Sequence, residues 1–258
     1  MSAPDFSPQT ETWGMPMSRI QLDMLLTRYR AAAELAAGRR VLEIGCGHAL
    51  GHELLDRDAT FVVAGDIDPT NMSGARRRWP DAALVQFDAT ASPFRDGSFD
   101  VALAFEMTYY VPDLPGMWTE VHRLLRPGGT LLVVSTNAER PGFHHSPHAR
   151  RYLVASEFHA ELERAGFDTT VTARWPLSDS VAARALRSVS GVADRFGLVP
   201  RSLRARAALK RFVQGRLTPY SGLLELDRTA GATPPGGEVA SGTRCEDHVV
   251  LYVTAVRR

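Results

Sequence analysis

The chain has 258 residues, of which 44% are hydrophobic, and a formal net charge of +1. That length and apolar content suffice for one full hydrophobic core, and the near-neutral balance gives no ground for a nucleic-acid partner or an anionic membrane surface. No apolar run approaches the roughly 18 residues that span a bilayer. The only cysteines, Cys46 and Cys245, are too few for a disulfide framework, and the opening MSAPDFSPQTETWG lacks an apolar leader core. A cytoplasmic location is expected.

Taken in chain order, residues 18–37 put Leu22, Leu25, Leu26, Tyr29, Ala32, Ala33 and Ala36 on one helical face, with Gly38 as the stop. Residues 1–38 are read as an N-terminal cap. Short apolar runs rich in β-formers then follow at Val41–Ile44, Phe61–Ala64, Leu84–Phe87, Val101–Phe105 and Leu131–Val134, each too short for a helix. WTEVHRLLRPGG reads as an amphipathic helix halted by Pro127 and Gly128. SEFHAELERAGF (156–167) reads as another, with Ser156 as N-cap and Gly166 at its end; its capping box lacks an acid, because His159 stands at the expected position. Strand-like TTVTARW (169–175) and HVVLYVTAV (248–256) close the series. Such alternation predicts a mostly parallel sheet with helices on both faces.

Between those last two runs lies an insertion, residues 178–246, far longer than an ordinary connection. From Arg184 to Arg216 it holds nine basic residues against one acid, Asp194. RTAGATPPGGEVASGTR (228–244) reads as a loop. The insertion is expected to serve as a lid over a substrate.

The run VLEIGCGHALG turns out of a strand on glycines 45, 47 and 51, where side chains would block a ligand approaching backbone amides. FVVAGDIDP puts Asp66 at the end of the next strand, an acid able to accept ribose hydroxyls, and VQFDAT puts Asp88 at the end of the third, in reach of an adenine amino group. These positions lie beyond the carboxyl ends of strands, where open parallel sheets bind ligands.

Together RRVLEIGCG, GDIDP, FDAT, FDVALAFE and LLRPGG, in that order over residues 28–177, strongly resemble the class I S-adenosylmethionine-dependent methyltransferases of small-molecule type. The resemblance implies an α/β, Rossmann-like, seven-stranded, mostly parallel sheet with the last strand antiparallel, built from residues 39–177 and 247–258, with S-adenosyl-L-methionine as cofactor. It further implies that Glu43 and the Gly45–Cys46–Gly47 backbone hold the methionine part, Asp66 the ribose, Ile67 a face of the adenine, Asp88 and Ala89 its edge, and that Phe105 lines the sulfonium side. Ala49 departs from the family, which often has glycine there; an alanine is expected to cost little in that turn. Nicotinamide dinucleotides are disfavoured, because GCGHAL ends on leucine where their fingerprint wants a third glycine.

Methyl transfer is an in-line displacement in which alignment does much of the work, and a hydroxyl acceptor also needs a base. His144 and His145 in the loop FHHSPH are the first candidates and Glu106 the alternative; His148 stands farther from the strand. A zinc site on these histidines is not expected, since no cysteine or carboxylate accompanies them. Tyr109, Tyr110, Arg151 and Tyr152 are expected to contact the acceptor, and Trp13 or Tyr29 to face the cofactor's cation. Each tyrosine and Trp13 has a plain packing role as its alternative. The expected function is methyl transfer to an O or N atom of a small molecule, with a sugar or specialised metabolite in view. RNA, suggested only by the basic insertion, and a non-catalytic cofactor-binding protein remain the alternatives.

Overall fold

A computed structural model describes residues 13–143, 145–177, 217–220, 222–231, 233–234 and 236–258. The cluster of basic residues from Arg184 to Arg216 and the side chain of His144 lie outside the described residues.

The elements are β1 (Pro16–Ser18), α1 (Arg19–Ala36), β2 (Arg40–Ile44), α2 (His52–Asp56), β3 (Phe61–Asp66), α3 (Pro69–Arg78), β4 (Ala83–Gln86), β5 (Phe99–Phe105), α4 (Leu114–Leu124), β6 (Leu125–Thr136), α5 (Ala155–Arg164), β7 (Phe167–Pro176), β8 (Leu217–Pro219), α6 (Leu223–Thr229), β9 (Gly237–Glu238) and β10 (His248–Arg257). The central sheet runs β4-β3-β2-β5-β6-β10-β7-β9. Strands β4, β3, β2, β5 and β6 are mutually parallel, and β10 lies antiparallel between β6 and β7. This is the mostly parallel architecture expected, including its antiparallel last strand. An eighth member, the two-residue β9, extends the outer edge beside β7.

Alternation of side chains along the buried strands feeds two cores. Leu42, Ile44, Ala102 and Ala104 join Trp118, Val121 and Leu124 of α4 and Phe158 and Leu162 of α5 on one face. Val41, Val62, Val101 and Leu103 meet Leu25, Leu26 and Ala32 of α1 and Leu54 and Leu55 of α2 on the other. Among the described residues no helix is long and apolar enough to cross a membrane.

Three local readings are corrected. Helix α5 starts two residues earlier than expected, with Val154 and not Ser156 as N-cap; Glu157 then stands at the third position and its carboxylate accepts from Val154 N at 3.0 Å. The reaching-back acid is therefore present, and His159 is instead buried, its Nε2 3.2 Å from the Val239 carbonyl. Helix α4 stops at Leu124, before Pro127. Ala49 sits at φ 51, a left-handed conformation that costs a side-chain-bearing residue about 1–2 kcal/mol, so its departure from glycine is not free of strain.

The described part of the insertion packs on several neighbouring elements. β8 pairs antiparallel with β1. The Tyr220 hydroxyl donates to the Leu50 carbonyl at 2.6 Å, and the Glu53 carboxylate accepts from the first amides of α6, Leu223 N at 2.5 Å and Leu224 N at 3.2 Å. Arg30 pairs with Asp227 at 2.6 Å. Residues 217–220 and 222–231 are thus fastened to α1, α2 and the turn before α2, and Gly237–Glu238 lies along the far edge, where the sequence predicted a loop.

Candidate active site

Strand order reverses around β2, whose successor β3 lies on one side and β5 on the other. Chains leaving these strand ends diverge and open a crevice there. A cavity of about 750 Å³ occupies it, lined from one end by Glu43, Gly45, Cys46, Gly47, Asp66, Ile67, Asp88 and Ala89, and toward the other by Phe105, Glu106, Tyr109, Tyr110, His148 and Arg150. That volume falls within the range of small-molecule sites.

The glycine turn is shaped by backbone need. Gly45 and Gly47 have φ of 69 and 55, and a Cβ on Gly45 would stand 2.8 Å from the Met107 side chain. Asp66 braces this turn: its carboxylate accepts from Gly47 N and from Asp68 N, both at 2.9 Å. Burial raises the Asp66 pKa, while the hydrogen bonds from the Asp68 and Gly47 amides pull it back down. Asp88, at the end of β4, is tied by Thr90, whose amide and hydroxyl donate to Oδ1 at 2.8 and 2.7 Å.

Glu43 carries the sharpest electrostatic feature. It is 1% exposed, and burial pushes its carboxyl up to about 7 against the opposing pull of Tyr29 and Arg28. Tyr29 OH donates to Oε1 at 2.5 Å, while buried Oε2 has no hydrogen-bond partner among the described residues. An unpaired buried carboxylate oxygen on a cavity wall fits an ammonium donor. The residues present therefore suit S-adenosylmethionine: Glu43 for its amino group, Asp66 and Asp88 for hydroxyl and amino donors of the nucleoside, Ile67 and Phe87 for flat apolar contact.

At the acceptor end, Glu106 lies at φ 52, a conformation a glutamate adopts only under constraint and one that clusters at functional sites. Its Oε2 accepts from the Tyr109 hydroxyl at 3.1 Å and from Thr136 N at 3.3 Å. Arg140 is nearby; burial lowers its pKa, and the charge of Glu106 raises it again. Tyr109 packs edge-on to Tyr110 and stacks on Tyr152, each with centroids 4.6 Å apart. The Tyr109 carbonyl accepts from Arg150 N at 2.7 Å, which draws the 147–150 segment over the cavity.

Four residues expected at the site stand elsewhere. Trp13 is outside the cavity lining; it packs on Tyr220 at 4.6 Å and under the Arg78 guanidinium at 4.5 Å. Arg151 is held away by Glu157 and Glu161, at 2.9 and 2.8 Å. Tyr152 backs Tyr109 without lining the cavity, and exposed His145 rests against Phe143 and Tyr152. His148, ranked behind its neighbours from sequence, is the loop histidine that lines the cavity among the described residues. Arg28, Met107 and Arg150 were missed. For Arg28 a signal existed: it lies between Leu25 and Ala32 on the apolar face of α1 and is 6% exposed, and a basic residue on a buried face calls for a purpose.

Residues 42–133 match a family model described as a methyltransferase domain. The match supports the resemblance to the class I S-adenosylmethionine-dependent methyltransferases. A Mycolicibacterium smegmatis protein named "Probable S-adenosylmethionine-dependent methyltransferase/" is 34% identical over 148 residues, 56% of this chain and 58% of that one. A fatty-acid O-methyltransferase of the same organism is 38% identical over 128 residues, 46% of each chain. The chain thus spans about half the length of the curated relatives it matches. Among solved structures, a SAM-dependent methyltransferase from Archaeoglobus fulgidus superposes with a TM-score of 0.60 at 14% identity, covering 92% of this chain and 94% of that one; at that identity the likeness concerns the fold. These likenesses imply S-adenosyl-L-methionine as the cofactor.

Proposed function

We propose that the protein transfers a methyl group from S-adenosylmethionine to an oxygen or nitrogen of a small molecule, a sugar or specialised metabolite being the class in view. The observation that carries this reading is the continuity of one cavity from Glu43, Asp66 and Asp88 to Glu106, Tyr110 and His148. Cofactor and acceptor can lie end to end in it, which an in-line displacement requires.

The bound cofactor supplies an activated methyl group. Glu43, Gly47, Asp66 and Asp88 orient it. Tyr109 and Tyr110 wall the acceptor space with aromatic surface and limit water there. Glu106, fixed by Tyr109 and Thr136 N, is placed to accept a proton from an acceptor hydroxyl, with His148 at the mouth as the second candidate base. The reading as a cytoplasmic enzyme rests on its two free, buried cysteines. The insertion, residues 178–246, is read as a lid over the acceptor; its residues 178–216 lie outside the described ones.

The test is formation of S-adenosylhomocysteine from S-adenosylmethionine with a panel of sugars, phenols, amines and fatty acids, followed by mass spectrometry of the product. Turnover with one class identifies the acceptor. Calorimetric binding of S-adenosylhomocysteine without turnover on the panel or on cell extract would favour the non-catalytic alternative.

A further inference from the structure

Away from the cavity, the turn entering β10 gathers Cys245, Asp247 and His248, whose ligand atoms all lie within 4.8 Å of one another. Asp247 Oδ1 is 3.7 Å from Cys245 Sγ and 2.7 Å from His248 Nδ1. We propose that these three side chains form a zinc site, with water as the fourth ligand. The separations suit it. Bonds of about 2.0–2.3 Å in a tetrahedron put neighbouring ligand atoms roughly 3.3–3.7 Å apart. The sulfur–oxygen pair is already there, and the oxygen–nitrogen pair opens by about half an ångström when a metal replaces the shared hydrogen.

The turn is pre-set by groups behind it. Asn137 is fully buried, and its Nδ2 donates to the carbonyls of both Cys245 and His248, at 2.6 and 2.9 Å. One side chain therefore pins both ends of the ligand segment. The Glu139 carboxylate accepts from Cys245 N at 3.0 Å. Such outer contacts fix ligand direction before the metal arrives. A thiolate, an imidazole and a carboxylate select zinc over magnesium or calcium. On binding, the thiol proton of Cys245 leaves to solvent, and the charge of the dication is matched by thiolate and carboxylate. Asn137 and Glu139 also begin the segment that ends at His148 and Arg150, so the metal would anchor the root of the acceptor loop to β10.

The experiment uses the full chain, stripped with a chelator and titrated with zinc against a chromophoric competitor, and in parallel with cobalt. One equivalent of zinc should bind, and cobalt should give a thiolate-to-metal charge-transfer band. Cys245→Ser should abolish the band. Asp247→Asn should weaken zinc by at least about 10–100-fold; the Asp247 side chain is 80% exposed, so this variant keeps its fold, which circular dichroism verifies. Less than one equivalent bound by the native chain, a band that persists in Cys245→Ser, or zinc affinity unchanged in Asp247→Asn each overturns the proposal.

Discussion

Replacing Glu43 with glutamine separates what this residue does for the fold from what it does for the ligand. The glutamine amide oxygen still accepts from Tyr29, so packing is preserved while the ionisable proton is lost. Burial raises the folded carboxyl from an ordinary 4.5 to about 7. At about 1.4 kcal/mol per pH unit this is worth about 3 kcal/mol. The sign follows from which form the fold prefers. A raised carboxyl is stabilised protonated, so its contribution is fully present below about 4.5 and is lost as pH rises through about 7. Above that, the native chain holds a buried charge that the unfolded chain would hydrate. Urea unfolding of the ligand-free native and Glu43→Gln proteins, across roughly pH 4.5 to 8, isolates this residue as a difference between two curves. Glu43→Gln should gain on the native protein by up to about 3 kcal/mol over that range, and bind S-adenosylhomocysteine more weakly at pH 8, because the carboxylate is there to meet the ligand's amino group. A difference that stays flat with pH would refute the buried-charge reasoning, and unchanged affinity would remove Glu43 from the ligand's amine.

Three further outcomes are expected. Asp66→Ala should weaken S-adenosylhomocysteine binding by ~1.5–3 kcal/mol, as for a charged hydrogen-bond partner, and loosen the Gly47 turn it braces; unchanged calorimetric affinity would exclude it from the site. Gly51→Ala would put a methyl 1.9 Å from the Tyr29 ring, and should lower stability by about 1–3 kcal/mol through overpacking while turning Tyr29 off Glu43; thermal melts equal to the native protein's would show that the helix moves aside cheaply. Once an acceptor is known, Glu106→Gln should cut turnover by ~10²–10⁴-fold with cofactor affinity kept if Glu106 is the base; full activity in both Glu106→Gln and His148→Ala would mean an amine acceptor that needs alignment alone.

How much of this was legible in the sequence depended on the distance over which each feature is decided. Glu43, Asp66, Asp88 and Phe105 each sit at or just past the end of a strand, and strand ends are marked by local signals: an apolar run, then glycine or an acid. Once those strands pair in parallel, the four residues converge without further instruction. The helix start at Val154 was misplaced for a local reason too. Ser156 is the stronger capping type, but Glu157 reaching back to Val154 N decided the matter, and a valine carries no capping signal of its own. Trp13 failed for a different reason: its partners Tyr220, Trp79 and Arg78 lie far away in sequence, and no periodicity near residue 13 points to them.

The acceptor half of the cavity is built by contacts of that second kind. The place of His148 at the opening is set by the Tyr109 carbonyl, which binds the amides of Arg150 and, at 3.4 Å, Arg151, and by Tyr152 stacking behind Tyr109. That docking turns residues 147–150 inward and leaves His145 outside on Phe143. The same short 3-10 turn, residues 108–110, follows Glu106 and carries the hydroxyl that holds its carboxylate. One loop after β5 thus positions both candidate bases, one directly and one through the segment after β6. Small changes at residues 108–112 would then alter acceptor choice, whereas Met107 also packs against Gly45 of the cofactor turn. The cofactor half is thus written locally, and the acceptor half is written between distant loops.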